Sequence, residues 1–264
     1  MNPRKSKSAL AREWRAHRVG AFIAGVAFLG AMSTFVFVVF VMSADGEQAK
    51  SGEVQYRPEL ELGRTAQYDY DPPEPGTYHL PAVKPAGDGN VLTPDGKKHR
   101  IRELLDGRVT LLSFIYTRCA DPTACPVATG ALYQIHIVSE KDPVIAENLR
   151  LITFSFDPEH DTPTVMANYS RGLRPDDDGC EWLFLTTSSE AELKPILEAY
   201  NQRVDRKKNA YDPFGPFYHM LRVYLIDGNG MIRNIYSFGL LDPRMVLTDV
   251  RTLLLEAGAV SASG

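Results

Sequence analysis

The sequence VTLLSFIYTRCADPTACP, residues 109–126, joins a strand-like run to a cysteine-bearing turn and a helix start. Residues 109–116 are almost continuously apolar over strand length, which is typical of a strand covered on both faces. Cys119 and Cys125 follow on a short turn, and Pro126 suits the first turn of a helix. A buried strand that leads through two cysteines into a helix is the feature on which the fold prediction depends.

Further strands and helices alternate downstream. Strand-length apolar runs occupy residues 149–156, 182–186, 221–226 and 231–236, and the Asp227–Gly230 stretch between the last two predicts a hairpin. Helix starts are indicated at Pro126, Thr162-Pro163, Ser189 and Asp242-Pro243; the first helix is predicted to end near Ser139 and the last at Gly258. Pro195 predicts a kink or a later start in the third helix. This order predicts a thioredoxin-like α/β domain, with a central sheet flanked by helices.

The N-terminal region has a different character. Residues 1–18 carry a net charge of +5, and residues 19–44 contain no charged side chain. A helix needs about 20 apolar residues to cross a bilayer, so 19–44 is predicted to be a single uncleaved transmembrane helix, with 1–18 as a cytoplasmic tail. A long signal peptide is the alternative. Residues 45–80 are predicted to be an acidic, proline-containing linker whose tyrosines partly pack on the domain formed by residues 81–264.

Composition excludes several classes of protein. The chain has 264 residues, a net charge of −4 and three cysteines. A nucleic-acid-binding domain is usually basic, so the net negative charge argues against nucleic-acid binding. Three cysteines cannot build a disulfide-dense scaffold. No C-x-x-C-H, Walker A or G-x-S-x-G motif is present, so haem attachment, nucleotide binding and serine hydrolysis have no support.

The cysteine pair carries the chemistry. Cys125 is predicted to lie at a helix N-terminus, where the helix dipole and free N–H groups lower a thiol pKa, and Arg118 places positive charge beside Cys119. Two thiolates on one loop bind a soft metal, exchange disulfides, or form a structural disulfide, and the spacing leaves all three open.

Three ordered motifs resemble the Sco/SenC family of membrane-anchored, thioredoxin-fold proteins. The first is residues 114–119 leading to Cys125-Pro126. The second is residues 154–163, FSFDPEHDTP, which is similar to the family's F-D-P-x-x-D-T-P signature. The third is His219 just before residues 221–227. The resemblance covers roughly residues 81–257.

The resemblance implies copper delivery during assembly of the CuA centre of cytochrome c oxidase, together with thiol–disulfide exchange. The implied copper ligands are Cys119, Cys125 and His219. Thiolates select Cu(I), and an added imidazole lets a site hold Cu(II) as well. The family usually has three residues between the cysteines, whereas this chain has five, so the longer loop is expected to displace Cys119.

The leading hypothesis is therefore a metallochaperone for the apo-form of a respiratory copper enzyme or another metalloprotein. The alternatives are a thiol–disulfide oxidoreductase, in which Cys119 and Cys125 form the redox pair, and a redox or copper sensor. A thioredoxin-like reductant is a further expected partner. The expected location is a bacterial inner membrane with the domain in the periplasm; the alternative is a mitochondrial inner membrane facing the intermembrane space.

Other polar residues receive weaker predictions. Asp157 follows the second strand and is expected near the cysteine loop, where it orients a ligand, tunes a thiol or caps the next turn. His219 follows the irregular-looking stretch 201–218. Cys180 has no obvious partner and is predicted to be a free or buried thiol without a role. The other histidines are assigned to packing or to the surface: His79, His99, His136 and His160.

Overall fold

A computed structural model describes residues 68, 70–174, 178–209 and 211–258. The predicted tail 1–18 and transmembrane helix 19–44 lie outside these residues. Within the described part of the chain, no helix combines the length and the apolar character that a membrane span requires.

Ten strands and six helices make up the described domain. The strands are β1 Lys84–Pro85, β2 Asn90–Leu92, β3 Lys98–Arg100, β4 Val109–Ile115, β5 Leu149–Ser155, β6 Glu181–Leu185, β7 Val204–Arg206, β8 Phe217–His219, β9 Arg222–Ile226 and β10 Met231–Ser237. The helices are α1 Ile101–Leu105, α2 Cys125–Ser139, α3 Pro143–Asn148, α4 Pro163–Arg171, α5 Glu190–Ala199 and α6 Pro243–Glu256.

The central sheet is mixed, with strand order β1-β10-β9-β4-β5-β6. Strands β4, β5 and β6 run parallel, whereas β9 pairs antiparallel with β4 and β10 antiparallel with β9. Because β9 is reversed, the residues before it lie at the same edge of the sheet as the residues after β4 and β5. Two small antiparallel pairs, β2–β3 and β7–β8, stand outside this sheet.

Both faces of the sheet are buried, as the unbroken apolar runs predict. Side chains alternate along β4, so that Leu111 packs into one core cluster and Leu112 and Phe114 into the other. Helices α2, α4 and α6 cover the first cluster, and α1 and α5 cover the second. The fold is therefore thioredoxin-like, a central mixed sheet between two layers of helices.

The five predicted strands and four predicted helices are confirmed, and every strand boundary agrees within one residue. Helix caps follow the predicted chemistry: the Thr162 and Ser189 hydroxyls and the Asp242 carboxylate each accept a backbone N–H of the first helical turn. Helix α5 starts at Glu190 and runs through Pro195, so the predicted later start is wrong.

The stretch 201–218 differs from its prediction as an irregular loop. It contains β7 and most of β8, which pair antiparallel with Val204 opposite His219. These strands are three residues long and largely exposed, so they give no apolar pattern in the sequence. His219 is consequently the last residue of a strand and is held in register by β7.

Part of the predicted linker packs on the domain, as its tyrosines indicate. Tyr68 is buried, and its carbonyl accepts a hydrogen bond from Arg244 at the start of α6. Further along, Gly76 N–H donates to Thr252 Oγ1, and the Tyr78 hydroxyl donates to the buried carboxylate of Asp249. The segment therefore follows α6 from its first turn towards its last.

Replacing Tyr78 by phenylalanine is expected to lower the free energy of unfolding by about 1.5–3 kcal/mol, because it removes a hydrogen bond to a buried carboxylate. Asp249 keeps its bonds from Tyr236 Oη, at 2.5 Å, and Asn234 Nδ2, at 2.8 Å. Urea unfolding followed by circular dichroism measures the change. Tyr133→Phe, at an exposed tyrosine, is the matched control and should change stability by less than about 0.5 kcal/mol. Equal effects in the two variants would contradict the contact with Asp249.

Candidate metal centre

Three strand ends meet at one edge of the sheet and bring the predicted ligands together. Strand β4 leads into Cys119 and then Cys125, which is the first residue of α2. His219 ends β8, three residues before β9 begins. These three side chains form a cluster in which every pair of ligand atoms lies within 4.8 Å.

The distances in the cluster suit a metal ion. Cys119 Sγ lies 3.6 Å from His219 Nε2, and Cys125 Sγ lies 3.7 Å from the same nitrogen. Bonds of about 2.3 Å to thiolate and about 2.0 Å to imidazole, opened to a trigonal angle, separate sulfur and nitrogen by about 3.7 Å. The donor set of two sulfurs and one imidazole therefore fits a soft metal ion with little rearrangement.

The two additional residues between the cysteines do not separate the sulfurs from His219. Asp121 folds the loop into a tight turn: its carboxylate accepts from the Thr123 N–H at 2.9 Å and from the Thr123 hydroxyl at 2.7 Å. Its carbonyl accepts the Ala124 N–H, immediately before α2. With the longer loop, Cys119 still lies beside Cys125 and His219.

The pKa values of the two cysteines are shifted in opposite directions. The Cys125 thiol donates a hydrogen bond to the Cys119 sulfur, and this bond, with contacts from His219 and from the N–H groups of Cys125 and Asp121, lowers the pKa of Cys119 to about 4 despite partial burial. Burial raises the pKa of Cys125 far above its ordinary value, and the neighbouring Cys119 thiolate raises it further. The prediction of a lowered pKa for Cys125 is therefore wrong, because burial and the neighbouring Cys119 outweigh the backbone N–H groups at the helix start.

Aromatic rings hold the histidine. The His219 ring lies edge-on to Tyr116, with centroids 5.6 Å apart, and 5.1 Å from the ring of Phe156. Its Nδ1 is buried and makes no hydrogen bond to any described residue. Packing against aromatic rings, rather than a hydrogen-bonded acceptor, therefore sets the orientation of this ring. Tyr116 and Phe156 were missed as site residues because their apolar runs indicate only buried strands.

Asp157 lies behind the cysteine loop. Its carboxylate is buried and accepts from the Arg118 guanidinium at 2.7 Å; within the described part of the chain, it does not hydrogen-bond either cysteine or His219. Arg118 is adjacent to Cys119, so Asp157 acts on the loop through this arginine. The carbonyl of Asp157 also accepts the N–H groups of His160 and Asp161 in the following turn.

Asp161 is a second acidic residue of the same motif that sequence reasoning did not single out. It is fully buried, and its carboxylate accepts from the Thr117 N–H at 2.9 Å and the Thr117 hydroxyl at 2.5 Å. Ser155 Oγ donates to it as well. Asp161 thus fixes the backbone two residues before Cys119. The Asp161-Thr162 pair in the FDPEHDTP motif is the sequence feature that could have identified this residue.

The remaining candidates lie away from the cluster. Cys180 is buried with its sulfur 3.8 Å from His136 Nδ1, and burial raises its pKa to about 11, so it has a neighbour that the sequence did not reveal. His136 is buried against Trp182, whereas His160 is exposed beside Asp161. His79 is exposed and pairs with Glu256, and His99 lies on β3.

The fold and the cluster define a class: a thioredoxin-like domain that carries two cysteines and a histidine at one sheet edge. The chain belongs to the SCO1/SenC family, whose family model matches residues 90–255.

Individual relatives agree with this assignment. The chain is 30% identical over 145 residues to the SCO1 protein homolog of Bacillus subtilis (strain 168), which covers 54% of this chain and 68% of the relative. A copper-bound structure of ScoI from Bradyrhizobium japonicum is similar with a TM-score of 0.51 and 24% identity, over 62% of this chain and 96% of that one. A structure of BsSco has a TM-score of 0.51 and 25% identity, over 66% and 96%. BsSco contains a disulfide switch and is a member of the Sco family of cytochrome c oxidase assembly proteins.

In reduced, metal-free protein, iodoacetamide is expected to alkylate Cys119 before Cys125. Cys119 is half-exposed and deprotonated above about pH 4, whereas Cys125 is buried and protonated. The rate at Cys119 should change less than about threefold between pH 5.5 and pH 7.5, while an ordinary thiol accelerates about 100-fold over that interval.

Peptide mass spectrometry locates and times the modification. Cys180, which is buried with a raised pKa, serves as the internal control and should stay unmodified. First reaction at Cys125, or a rate at Cys119 that rises through pH 8, would contradict the assignment of the thiolate.

Proposed function

We propose that this protein is a membrane-anchored metallochaperone that binds copper through Cys119, Cys125 and His219. The single observation that carries the proposal is the cluster itself, with both sulfurs within 3.7 Å of His219 Nε2. Membership of the SCO1/SenC family and the copper-bound ScoI structure support copper as the metal. The description of the Sco family as oxidase assembly proteins supports a cytochrome c oxidase CuA-type site as the destination.

The donor set suits a metal that is carried as cargo. Two thiolates favour Cu(I), and the imidazole extends the site to Cu(II). Copper binding by both sulfurs requires Cys125 to lose the proton that it shares with Cys119, so uptake releases a proton. The described part of the chain supplies three ligands, which leaves a coordination position for a ligand from the recipient protein.

The surroundings of the cluster allow that recipient to approach. A cavity of about 430 Å³ opens beside the two cysteines, between α2 and α4, and is lined by Thr129, Tyr133 and Leu173 among others. Cys119 is half-exposed and Cys125 is buried. A recipient ligand therefore reaches the copper from the side of Cys119, and the recipient is the apo-form of a respiratory copper enzyme or another metalloprotein.

The second candidate function is thiol–disulfide exchange with the cysteines of a partner metalloprotein. The opposite pKa shifts favour it, because the half-exposed Cys119 thiolate is a nucleophile and the adjacent Cys125 thiol can resolve a mixed disulfide. The disulfide switch reported for BsSco concerns a relative with related chemistry. A thioredoxin-like reductant would return the pair to the dithiol.

The proposed location follows from the N-terminal sequence. Residues 1–18 form the cytoplasmic tail and residues 19–44 the single transmembrane helix. Residues 45–80 connect this helix to the domain of residues 81–264, and within this connection Tyr68, Gly76 and Tyr78 contact α6. The domain then lies in the periplasm of a bacterium, with the mitochondrial intermembrane space as the alternative.

Anaerobic titration of the reduced protein with Cu(I), against a competing chelator, tests the proposal. Wild type should bind one copper ion, and His219→Ala should weaken binding at least about tenfold because one of three ligands is lost. His160→Ala, at an exposed histidine outside the cluster, and Cys180→Ser are the matched controls and should bind as wild type does.

The outcome separates the two candidate functions. Copper binding that depends on Cys119, Cys125 and His219 supports the metallochaperone. Absence of competitive binding by wild type excludes it. Reduction of a disulfide substrate that needs both cysteines and is unaffected by His219→Ala would favour the oxidoreductase.

A further inference from the structure

The hydroxyl of Tyr116 connects the two halves of the ligand cluster. Tyr116 is the residue after β4 and is buried, with 1% of its surface exposed. Its hydroxyl donates a 3.0 Å hydrogen bond to the carbonyl of Phe214, in the turn that joins β7 to β8. The cysteine loop begins at the next residue, and His219 ends the hairpin on the other side. One side chain therefore contacts both segments that supply ligands.

The turn is shaped to receive this hydroxyl. Gly215 has a φ of +96°, and a Cβ at this position would lie 2.0 Å from Tyr116 Oη, which is closer than any real contact. Only a residue without a side chain leaves room for the hydroxyl at the Phe214 carbonyl. The glycine and the tyrosine are therefore complementary.

The ring of Tyr116 extends the connection into the hairpin. It packs edge-on against Phe217, with centroids 5.2 Å apart, and against His219. The ion pairs that Arg206 makes with Glu159 and Glu190 also join the hairpin to the domain, but they lie at the surface, where ion pairs contribute little. The Tyr116 hydrogen bond is thus a sheltered polar tie between this turn and the end of β4.

We propose that Tyr116 is a positioning residue whose hydroxyl latches the β7–β8 turn and so holds His219 Nε2 beside the two sulfurs. The role rests on the proposed copper function, but the latch itself exists in the metal-free protein. Phenylalanine at position 116 would keep the ring contacts and lose the hydroxyl, which donates to the Phe214 carbonyl and also hydrogen-bonds the Cys119 sulfur. Exchange of the hairpin amides reports the bond to Phe214, whereas the contact with Cys119 would change copper affinity with or without His219.

Hydrogen exchange of the metal-free full chain tests the latch without copper. In Tyr116→Phe, amides of residues 204–219 are expected to exchange about fivefold faster than in wild type, as the loss of one net hydrogen bond implies. Exchange in β4 and β5 should not change, which shows that the domain is folded. Tyr218→Phe removes an exposed hydroxyl from the same hairpin and is the matched control. Unchanged exchange of the hairpin in Tyr116→Phe overturns the proposal.

Copper affinity tests the consequence for His219. Tyr116→Phe is expected to weaken Cu(I) binding about three- to tenfold in the wild-type background and by less than about twofold in a His219→Ala background, because the latch acts through the histidine. Equal weakening in both backgrounds contradicts a role through His219.

The two arms distinguish the failure of each proposal. If wild type binds no copper, the proposed function fails, and the exchange experiment still decides whether the latch exists. If wild type binds copper and Tyr116→Phe binds it equally well, the positioning role fails while the proposed function stands.

Discussion

The antiparallel pairing of β9 with β4 is the constraint on which the site depends. Register places Ser113 of β4 opposite Val223 of β9, so the end of one strand and the beginning of the other share an edge. A parallel β9 would carry His219 to the opposite edge of the sheet, a full strand length from the cysteines. The parallel pairing of β4 with β5 adds Asp157 and Asp161 at the same edge. The segments after β4, after β5 and before β9 are unrelated in sequence. They lie at the same edge of the sheet because of the directions of these strands.

Electrostatics within the cluster follows from unequal burial. The two sulfurs compete for one negative charge, and Cys125 is buried whereas Cys119 is half-exposed. Desolvation places the charge on the outer sulfur, and the helix N-terminus then stabilises that charge through the Cys125 N–H. The half-exposed Cys119 thiolate can attract a metal cation from solvent, and it can also attack a disulfide in another protein. It therefore explains why both chemistries fit one pair of cysteines.

Sequence reasoning recovered the parts of the fold that have strong local signals. Strands β4, β5, β6, β9 and β10 are continuous apolar runs, and their connecting helices carry caps and N-terminal prolines. The pair β7–β8 escaped because three-residue exposed strands show no periodicity. The ligand set came from the resemblance of three motifs, and the structure brings those residues together. The pKa of Cys125 was predicted wrongly because the sequence places this residue at a helix start but does not reveal that it is buried.

The turn at Asp121 has an evolutionary consequence. Asp161 fixes the chain before Cys119, and the first turn of α2 fixes Cys125, so the residues between them form a loop whose ends do not move. Insertions in such a loop are absorbed by the turn and leave the sulfurs in place. The interval between the cysteines can therefore drift during divergence while the chemistry is retained. Genome searches that require a fixed interval will overlook such chains, whereas a search for the spatial triad will recover them.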